Sequence, residues 1–549
     1  MQVHGRSIIA GRVAQADAAS VLFRAIDPST GRERPTEFAA ASPADVNQAC
    51  IEAWNAFHAM QTTPAAARAD LLDDIAGRLA TLGGTLTDTV SAETGLSSTR
   101  VISERERMAG VFRMFAEVVR EGSWSRACIE PGDAARRPNP KPDLRRMLRP
   151  LGPAAVFGAS NFPLAYGAAG GDTASALAAG CPVVVKSHPL HPATGELLAS
   201  VLADCVREHS FPPGTFSFLQ AGGARERTVG EELIDHPCIR AAGFTGSHVG
   251  GMALTNRARA RPDPIPVFAE MGSINPVVLF KHALETQGPA IATRIAQSVI
   301  NACGQMCTCP GLLLALRDKH TDAFTRELSA AFNAAEPGIM LGTRLRDAFV
   351  LGIEELLRIE GVDAIAGAVP SMASSQIAAT ATGVLLRTRA TVFLREPILR
   401  NEVFGPSTVL VVCEHEEELF ACLSAISGSL TGTIFAGPYD AAFATRAVPM
   451  LEQRVGRIVF NSVPTGVEVN AAMIHGGPYP ASSAPHSTAQ GIMAMERWCR
   501  PVCYQNAPDA ILPPELRDAN PLGVERIIGS VRTKEAIRRG QRASVPTPG

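Results

Sequence analysis

Long hydrophobic runs are missing from this sequence of 549 residues. No segment of about 18 uninterrupted apolar residues, the length that could span a bilayer, occurs in it. The first six residues, Met-Gln-Val-His-Gly-Arg, lead into no apolar core of the kind found in secretory signal peptides. From these absences we expect a soluble, cytoplasmic protein with no membrane partner.

An excess of charge of either sign is also missing. The chain has 51 Lys and Arg against 53 Asp and Glu, for a formal net charge of −2. Binding to nucleic acid or to an anionic membrane favours a concentrated basic surface. We therefore expect a small-molecule partner and no nucleic acid.

Cysteines are too sparse for a disulfide framework. The 12 cysteines are scattered from Cys50 to Cys503, unlike the dense spacing of small disulfide-rich domains. One cluster, Cys303, Cys307 and Cys309, lacks the paired C-x-x-C spacing of a zinc ribbon and has no nearby histidine. We expect reduced, mostly buried thiols and no metal site.

Apolar residues make up 46% of the chain, enough for a large core and for more than one domain. The pattern up to about residue 125 is helical. Residues 126–150 are rich in Pro and Arg, which predicts an exposed extended arm that serves contacts between subunits. Residues 524–549 carry mostly basic charges, which predicts a solvated tail.

From Leu151 onward, short apolar runs alternate with helical stretches, which is typical of a doubly wound parallel sheet. This indicates an α/β protein with a Rossmann-like nucleotide-binding domain. A second alternating region begins near Pro276 and supplies a separate α/β catalytic domain. The predicted parts are residues 1–125 with 151–272 for the nucleotide-binding domain, 273–480 for the catalytic domain, 126–150 with 481–510 for the arm, and 511–549 for the tail.

The segment Gly304 to Gly311, G-Q-M-C-T-C-P-G, contains the best candidate for a nucleophile, Cys307. A thiol attacks carbon when it is partly ionised and reachable, which a polar turn with a flanking glycine provides. Taken alone, such a cysteine is also compatible with a small buried residue.

Other motifs offer matching functional groups, each with a plainer alternative. Asn161 follows a predicted strand and aims an amide at the ligand crevice, or forms an Asx turn. Glu270 stands in an apolar run that raises its pKa towards that of a general base, or makes a structural salt bridge. Gly246 and Ser247 begin a helix that can face a pyrophosphate. The carboxylate of Glu402, near an aromatic residue, could bind a ribose. Alternatively, Glu402 only marks the end of a strand.

Together and in this order, the motifs resemble those of the aldehyde dehydrogenase superfamily: N-F-P, V-V-K, F-T-G-S, E-x-G, G-Q-x-C-T and E-x-F-G-P. The similarity covers roughly residues 8–510. It implies the aldehyde dehydrogenase fold, which has a nucleotide-binding domain, a catalytic domain and a β-strand oligomerisation arm. The segments Phe157 to Lys186 and P-T-G-V-E-V resemble a branch with 2,5-dioxopentanoate (α-ketoglutaric semialdehyde) dehydrogenases and an NADP-dependent fatty aldehyde dehydrogenase.

The resemblance also implies a mechanism. Cys307 attacks the aldehyde, the Asn161 amide and the Cys307 backbone N–H stabilise the alkoxide, and Glu270 activates the water that hydrolyses the thioester. Lys186 and Glu402 would bind ribose hydroxyls, Phe404 would pack by the nicotinamide, and Gly246 with Ser247 would approach the pyrophosphate. The complete set that the resemblance assigns to the cofactor is Lys186, Ser187, His188, Gly246, Ser247, Gly251, Glu402 and Phe404.

Cofactor choice depends on the third residue after Lys186. Many family members have a glutamate there, which binds the adenosine 2′-hydroxyl and repels a 2′-phosphate. This sequence has Pro189. We expect NADP to be accepted, with help from Lys186 and His188, and NAD to be tolerated.

Several alternatives remain open. Cys309 could form a transient disulfide with Cys307 or Cys303, or be a small residue of the pocket wall. A semialdehyde acid needs a cationic or amide partner for its carboxylate, whereas a fatty aldehyde needs an apolar tunnel. A catalytically silent relative and an enzyme that passes the acyl group to coenzyme A are further possibilities, although Glu270 suits hydrolysis.

Residues 497–504 resemble the strand that pairs with the arm across subunits, so we expect a homodimer or homotetramer.

Overall fold

The computed structural model describes residues 2–16, 18–369 and 378–537. The helical pattern expected for the first 125 residues begins only at Pro43, because four strands precede it. Ser42 caps the first helix through a reciprocal capping box with Asp45. These elements are β1 (Ile8–Ile9), β2 (Arg12–Val13), β3 (Leu22–Asp27), β4 (Arg32–Ala39), α1 (Pro43–Ala59), α2 (Ala65–Thr81), α3 (Gly84–Thr94) and α4 (Ser98–Glu121).

The arm region contributes β5 (Cys128–Glu130) and β6 (Leu144–Pro150). The chain then enters the first large sheet, whose strand order is β11-β10-β7-β8-β9-β1-β2. The strands from β7 to β11 are parallel, and β1 closes the edge by pairing antiparallel with β9. The additional elements are β7 (Ala154–Phe157), α5 (Gly171–Ala179), β8 (Val183–Lys186), α6 (Pro192–Glu208), β9 (Phe216–Leu219), α7 (Thr228–Asp235), β10 (Ala241–Thr245), α8 (His248–Arg259) and β11 (Val267–Glu270).

A second large sheet has the order β15-β17-β18-β13-β12-β19-β20, with β15 antiparallel to its neighbour. Its strands are almost entirely apolar, as expected of strands covered on both faces. Its elements are β12 (Pro276–Leu279), α9 (Lys281–Ile300), β13 (Leu312–Leu316), α10 (Lys319–Asn333), β14 (Gly338–Ile339), α11 (Thr343–Leu357), β15 (Asp363–Gly367), β16 (Thr380–Ala381), β17 (Val384–Arg389), α12 (Ala390–Arg395), β18 (Ser407–Cys413), α13 (Glu416–Ala425), β19 (Ser429–Phe435), α14 (Ala441–Glu452) and β20 (Val455–Phe460).

The last strands, β21 (Cys499–Gln505), β22 (Arg526–Ile528) and β23 (Val531–Thr533), join the arm. The arm sheet has the order β21-β6-β5-β22-β23. Pairing of β6 with β21 thus occurs within one chain, and the interpretation of this pair as a contact across subunits is wrong. The reason is the order of elements along the chain. The segment before β21 brings the chain back to the arm, so β21 starts beside β6 of the same subunit.

The prediction of a solvated tail from residue 524 is wrong for residues 524–529, which are buried or half-buried, whereas most of residues 530–536 are exposed as expected. β22 pairs in parallel with β5, and Arg526 is only 1% exposed. The Arg526 guanidinium donates to the carbonyl oxygens of Arg517, Asp518 and Glu535. The buried Arg526, whose two terminal nitrogens donate to backbone carbonyl groups, thus holds the start of this segment against the arm despite its polar composition. Residues 538–549, the rest of that expected tail, lie outside the described residues.

The first large sheet places the carboxyl ends of its parallel strands towards the functional groups discussed below, since Lys186 ends β8 and Glu270 ends β11; this is the usual position of a ligand crevice in such folds. The second sheet contributes the amino ends of its strands, since Cys307 lies in the loop before β13 and Glu402 lies shortly before β18. The protein has an α/β fold. Within the described ranges, none of the helices combines the length and apolarity needed to cross a bilayer.

Candidate active site

The nucleophile loop lies between α9 and β13 and is held rigidly from two sides. The Asn275 side-chain amide donates to the carbonyl oxygens of Cys307 and Cys309, at 2.9 Å each. Gln305 accepts a hydrogen bond of 2.9 Å from the backbone N–H of Leu341. Contacts with residues distant in sequence therefore fix the position of Cys307. The Cys307 motif alone did not identify Asn275 as one of these residues.

The Cys307 thiol is protonated in its resting environment. Burial raises its pKa to about 11, opposed by the positive charge of Arg107 and reinforced by Glu402 and Glu270. Its sulfur lies 3.6 Å from Nε2 of His475. This environment favours the protonated thiol, so Cys307 needs help from neighbouring groups to ionise.

His475 is a site residue that the sequence motifs did not identify. It is 3% exposed, and burial lowers its pKa to about 3, with two nearby arginines adding to the effect. Its backbone N–H donates to the Thr488 hydroxyl at 2.9 Å. Neutral imidazole with its proton on Nδ1 can accept the Cys307 thiol hydrogen through Nε2 and orient the sulfur.

The Asn161 amide contacts the same loop. Its Nδ2 donates to the carbonyl oxygen of Gln305 at 2.9 Å. The buried carboxylate of Glu104 on α4 accepts hydrogen bonds of 2.9 Å from the backbone N–H groups of Leu164 and Ala165, which holds the segment that carries Asn161. One hydrogen of the Asn161 amide is thus bonded to a residue distant in sequence, and the second amide hydrogen is available to an oxyanion.

Glu270 ends β11 and is 4% exposed. Burial raises its pKa to about 8, against the opposing effects of Arg497 and a hydrogen bond with Ser482. In residues 2–16, 18–369 and 378–537, no cation lies within 4.0 Å of its carboxylate, so it is not the structural salt bridge considered above. A carboxylate with this raised pKa suits general-base chemistry.

A cleft of about 670 Å³ brings three predicted cofactor residues together: Ser247, Glu402 and Phe404. Ser247 caps α8 by accepting from the Gly250 N–H at 3.2 Å. A Cβ on Gly272 would come within 2.2 Å of Glu402 Oε2, so a side chain at this position would displace the Glu402 carboxylate. Burial raises the pKa of Glu402 to about 7, and the Ser273 backbone N–H opposes that rise.

Three other predicted cofactor residues follow β8. The Lys186 ammonium donates to the Ser187 carbonyl oxygen at 3.2 Å, and burial lowers its pKa to about 8. The Ser187 hydroxyl accepts from the Ala221 N–H at 2.8 Å, which braces β8 against the turn after β9. His188 stacks on His191 with ring centroids 5.0 Å apart. Their roles towards a cofactor stay predictions.

The two predicted glycines have packing contacts of their own. The Gly246 N–H donates to the Glu270 carbonyl oxygen at 3.0 Å, so Gly246 helps to place the candidate base. A Cβ on Gly251 would lie 2.7 Å from the Met271 sulfur, so Gly251 permits α8 to pack closely on β11. Contact of either glycine with a pyrophosphate stays a prediction.

Cys309 is a pocket-wall residue. It is 8% exposed, and its sulfur lies 3.9 Å from the Val299 carbonyl oxygen. Cys303 directs its sulfur towards the Ala381 carbonyl oxygen at 3.7 Å. The three thiols of the cluster thus have three separate partners, which favours the wall interpretation over a disulfide with Cys307.

A second pocket, of about 450 Å³, opens on Cys307, and its charged lining residues are Arg100, Arg107, Glu104 and Glu468. Motif comparison missed the first three because they lie on α4, far from any predicted strand end. Arg100, Glu104 and Arg107 recur at helical spacing, a signal that one face of α4 is charged. The residues that face this pocket include Arg100, Arg107, Phe162, Tyr166, Met306, Cys307, Val467 and Val469.

The two arginines of this pocket differ in their partners. Arg100 pairs with the buried Glu104 at 3.3 Å. Arg107 donates from Nη2 to the Tyr166 hydroxyl at 3.2 Å, while its Nε is buried without a hydrogen-bond partner among the described residues. No carboxylate in that part of the chain lies within 4.0 Å of Arg107. Arg107 is therefore the cation available to an anionic ligand.

Comparison with known proteins agrees with this geometry. Residues 15–500 match the family described as the aldehyde dehydrogenase family. The α-ketoglutaric semialdehyde dehydrogenase 2 of Azospirillum brasilense is 45% identical over 529 residues, covering 96% of this chain and 99% of the relative. The α-ketoglutaric semialdehyde dehydrogenase of Acinetobacter baylyi is 40% identical, with 97% and 99% covered.

Solved structures share the fold at lower identity. Betaine aldehyde dehydrogenase from Staphylococcus aureus, in complex with NAD+, superposes with a TM-score of 0.77 at 19% identity, covering 92% of this chain and 98% of that one. Gamma-glutamyl-gamma-aminobutyraldehyde dehydrogenase from Burkholderia cenocepacia has a TM-score of 0.78 at 21% identity, with 92% and 97% covered. These structural similarities support the α/β architecture described above.

Proposed function

Because this chain belongs to the aldehyde dehydrogenase family, and is an NAD(P)-dependent aldehyde-oxidising enzyme, we propose that its substrate is 2,5-dioxopentanoate, the semialdehyde of 2-oxoglutarate. The observation that carries this proposal is Arg107, which lies in the pocket that opens on Cys307. Two relatives that share 45% and 40% of its residues are named for the same substrate.

Arg107 is half-buried. A partly buried guanidinium without a carboxylate partner loses hydration, and a substrate carboxylate compensates for that loss. The planar Arg107 fork matches a carboxylate in a bidentate arrangement. Apolar walls from Phe162 and Val467 contact the carbon chain between the carboxylate and the aldehyde. A fatty aldehyde would instead place methylene groups against the unpaired charge, so the pocket favours a short acid semialdehyde.

Cys307 starts the reaction. Its thiol, oriented by His475, releases its proton to water in the pocket, and the resulting thiolate attacks the aldehyde carbon, whose carbonyl oxygen becomes an alkoxide. The Asn161 amide and the Cys307 backbone N–H donate to that oxygen; such a donor typically contributes about 2.7 to 4 kcal/mol to the transition state. Collapse of the alkoxide expels hydride from the same carbon and leaves a thioester on Cys307.

The cofactor cleft fits a nicotinamide dinucleotide. It joins the N-terminus of α8 at Ser247 to the Glu402 carboxylate, the groups that suit a pyrophosphate and a ribose respectively. We place Ser247, Glu402 and Phe404 along it, and we propose that Gly246 and Lys186, outside its lining, also contact the cofactor. When bound, the nicotinamide supplies the acceptor for the hydride.

Glu270 completes the cycle. As a carboxylate it takes a proton from water, the hydroxyl oxygen adds to the thioester carbon, and Cys307 leaves as the thiolate. The product is the carboxylic acid. An intact Glu270 beside Cys307 favours hydrolysis over transfer of the acyl group to coenzyme A.

Replacing Arg107 by methionine tests the substrate assignment. We expect kcat/KM for 2,5-dioxopentanoate to fall about 10- to 100-fold, the usual value of a hydrogen bond to a charged group, while oxidation of neutral pentanal changes little. Initial-rate kinetics followed at 340 nm measure both. Arg113→Met, on the exposed face of the same helix, is the matched control. An equal loss with both aldehydes would show that Arg107 does not recognise the carboxylate.

We propose NADP as an accepted cofactor alongside NAD, because Pro189 puts no carboxylate where a 2′-phosphate would lie and Lys186 is close by. Lys186→Ala should raise KM for NADP by about 10-fold, and should raise KM for NAD less. Titrating each cofactor at saturating aldehyde measures the two values, with exposed Lys281→Ala as control. Equal increases for both cofactors would contradict contact between Lys186 and the 2′-phosphate.

We also propose that the enzyme works in the cytoplasm as a homodimer or homotetramer assembled through the arm sheet. Its outer strand β21 alternates half-buried and exposed residues, and an edge strand of this kind offers unpaired backbone groups to another chain. Sedimentation equilibrium gives the mass of the assembly.

A further inference from the structure

A buried ion pair between Arg497 and Asp172 lies near Glu270, and the mechanism proposed above gives this pair no role. Arg497 is 5% exposed and donates from Nη2 to Oδ1 of Asp172 on α5, which is 7% exposed. Burying two charges costs several kcal/mol even when they pair well. A purely structural contact between α5 and the segment that precedes β21 would not need that charge.

Strand geometry puts this pair on the same side as the candidate base. Residues two apart on a strand point to one face, so Phe268 and Glu270 of β11 share a face. The Arg497 guanidinium lies 5.9 Å from the Phe268 ring centroid, and the Phe268 and Trp498 rings meet edge to face at 5.6 Å. Arg497 therefore lies beside the side chain that precedes Glu270 on this face.

Arg497 and Glu270 each have polar side-chain atoms that form no hydrogen bond within the described part of the chain. Nε and Nη1 of Arg497 and Oε2 of Glu270 are buried without a hydrogen-bond partner among the residues that the structure describes. Oε1 of Glu270 approaches Gly476, whose Cβ, if present, would lie 3.7 Å away. One oxygen of the Glu270 carboxylate thus remains without a partner among the described residues, within the electrostatic influence of both Cys307 and Arg497.

We propose that Arg497 and Asp172 are positioning residues for Glu270, and that their paired charges control whether Glu270 stands ready as the base of thioester hydrolysis. The proposal rests on the role of Glu270 in the proposed function. Arg497 draws the carboxylate into place, and Asp172 neutralises most of the Arg497 charge so that Glu270 keeps its affinity for a proton.

Every charged group that faces Glu270 takes part in this balance. Arg497 favours the charged form of Glu270 and Asp172 opposes it. On the other side, Cys307 and Tyr166 interact with the Glu270 charge. Removing one member of the pair should therefore move the protonation of Glu270 in one direction, and removing the other member should move it in the opposite direction.

The pH dependence of steady-state turnover tests this. Asp172→Asn leaves Arg497 uncompensated, so the acidic limb of the kcat profile should move to lower pH by about one unit. Arg497→Met leaves Asp172 alone, so that limb should move to higher pH by about one unit. Arg497→Lys should restore the limb to near its original position.

The matched control is Ser175→Ala, which removes the 2.8 Å hydrogen bond between Ser175 on α5 and the Trp498 indole. Ser175→Ala weakens the contact between α5 and the segment that precedes β21 without changing any charge, so the pH profile should not shift. If Arg497→Met does not fold, the downward shift in Asp172→Asn and its absence in Ser175→Ala decide the question. Shifts in the same direction, or none, would overturn the proposal.

A rapid burst of reduced cofactor separates this proposal from the proposed function. The burst reports attack by Cys307 and hydride loss, which precede the action of Glu270. We expect it to keep its amplitude in Asp172→Asn and Arg497→Lys. A normal burst without the opposite pH shifts would refute only the role of the ion pair, whereas no reduction of cofactor at all by the unaltered enzyme with 2,5-dioxopentanoate would refute the proposed function.

Discussion

Replacing Cys307 by serine is expected to reduce aldehyde oxidation by roughly 10⁴-fold or more, the scale of loss when an enzyme loses its nucleophile. Serine is nearly the size of cysteine, so the loop that Asn275 holds should keep its shape. The remaining hydroxyl is far harder to ionise than a thiol that already has a pKa of about 11. Initial rates at 340 nm measure the loss.

The matched control is Cys309→Ser, two residues away in the same loop. Its sulfur contacts only the Val299 carbonyl oxygen among the hydrogen-bonding groups described, and serine preserves that donor. We expect activity within about threefold of the unaltered enzyme, since this is a small change at a wall position. A loss comparable to that of Cys307→Ser would make Cys309 a participant in the chemistry.

Replacing Glu270 by glutamine should separate the two halves of the reaction. The thioester should still form, giving one burst of reduced cofactor per active site, and then hydrolysis should stall. Steady-state turnover should fall by about 10²- to 10⁴-fold, the usual contribution of a general base. Stopped-flow measurement of the burst, followed by acid quenching to detect acyl enzyme, gives both quantities.

The unaltered enzyme provides the corresponding pH test. Only the ionised form of Glu270 can take a proton from water, and its pKa is raised to about 8. Where hydrolysis limits turnover, kcat should therefore increase as the pH passes through about 8 and should lose this increase in Glu270→Gln. Survival of the same titration in Glu270→Gln would assign it to another group.

Local motifs predicted the elements that carry the chemistry. The parallel strands β7, β8 and β10 were anticipated from apolar runs bounded by small residues and glycine. Asn161, Glu270 and Cys307 each belong to a short contiguous segment at a strand end or in a loop, so their neighbours in sequence are also their neighbours in space. That is why one ordered set of motifs located all three.

Contacts between distant segments were not predictable in the same way. Arg107 lies on α4, whose amphipathic spacing shows that one face is charged but not which pocket that face meets. His475 approaches Cys307 across 168 positions, and no local pattern encodes such a pair. The tail was misjudged because its arginines were counted as surface charge, whereas Arg526 is buried among carbonyl groups.

The sequence by itself determined the family and the α/β class, and it was enough to propose Cys307, Asn161 and Glu270 as the catalytic groups, because these inferences depend on residue type and local order. Only the tertiary structure decided the environment of each group. Burial set the proton affinities of Cys307 and Glu270, and packing of α4 over the nucleophile loop placed Arg107 where a substrate carboxylate would lie. Such effects arise from the distance between charges and the exclusion of water, which exist only after distant parts of the chain have packed together.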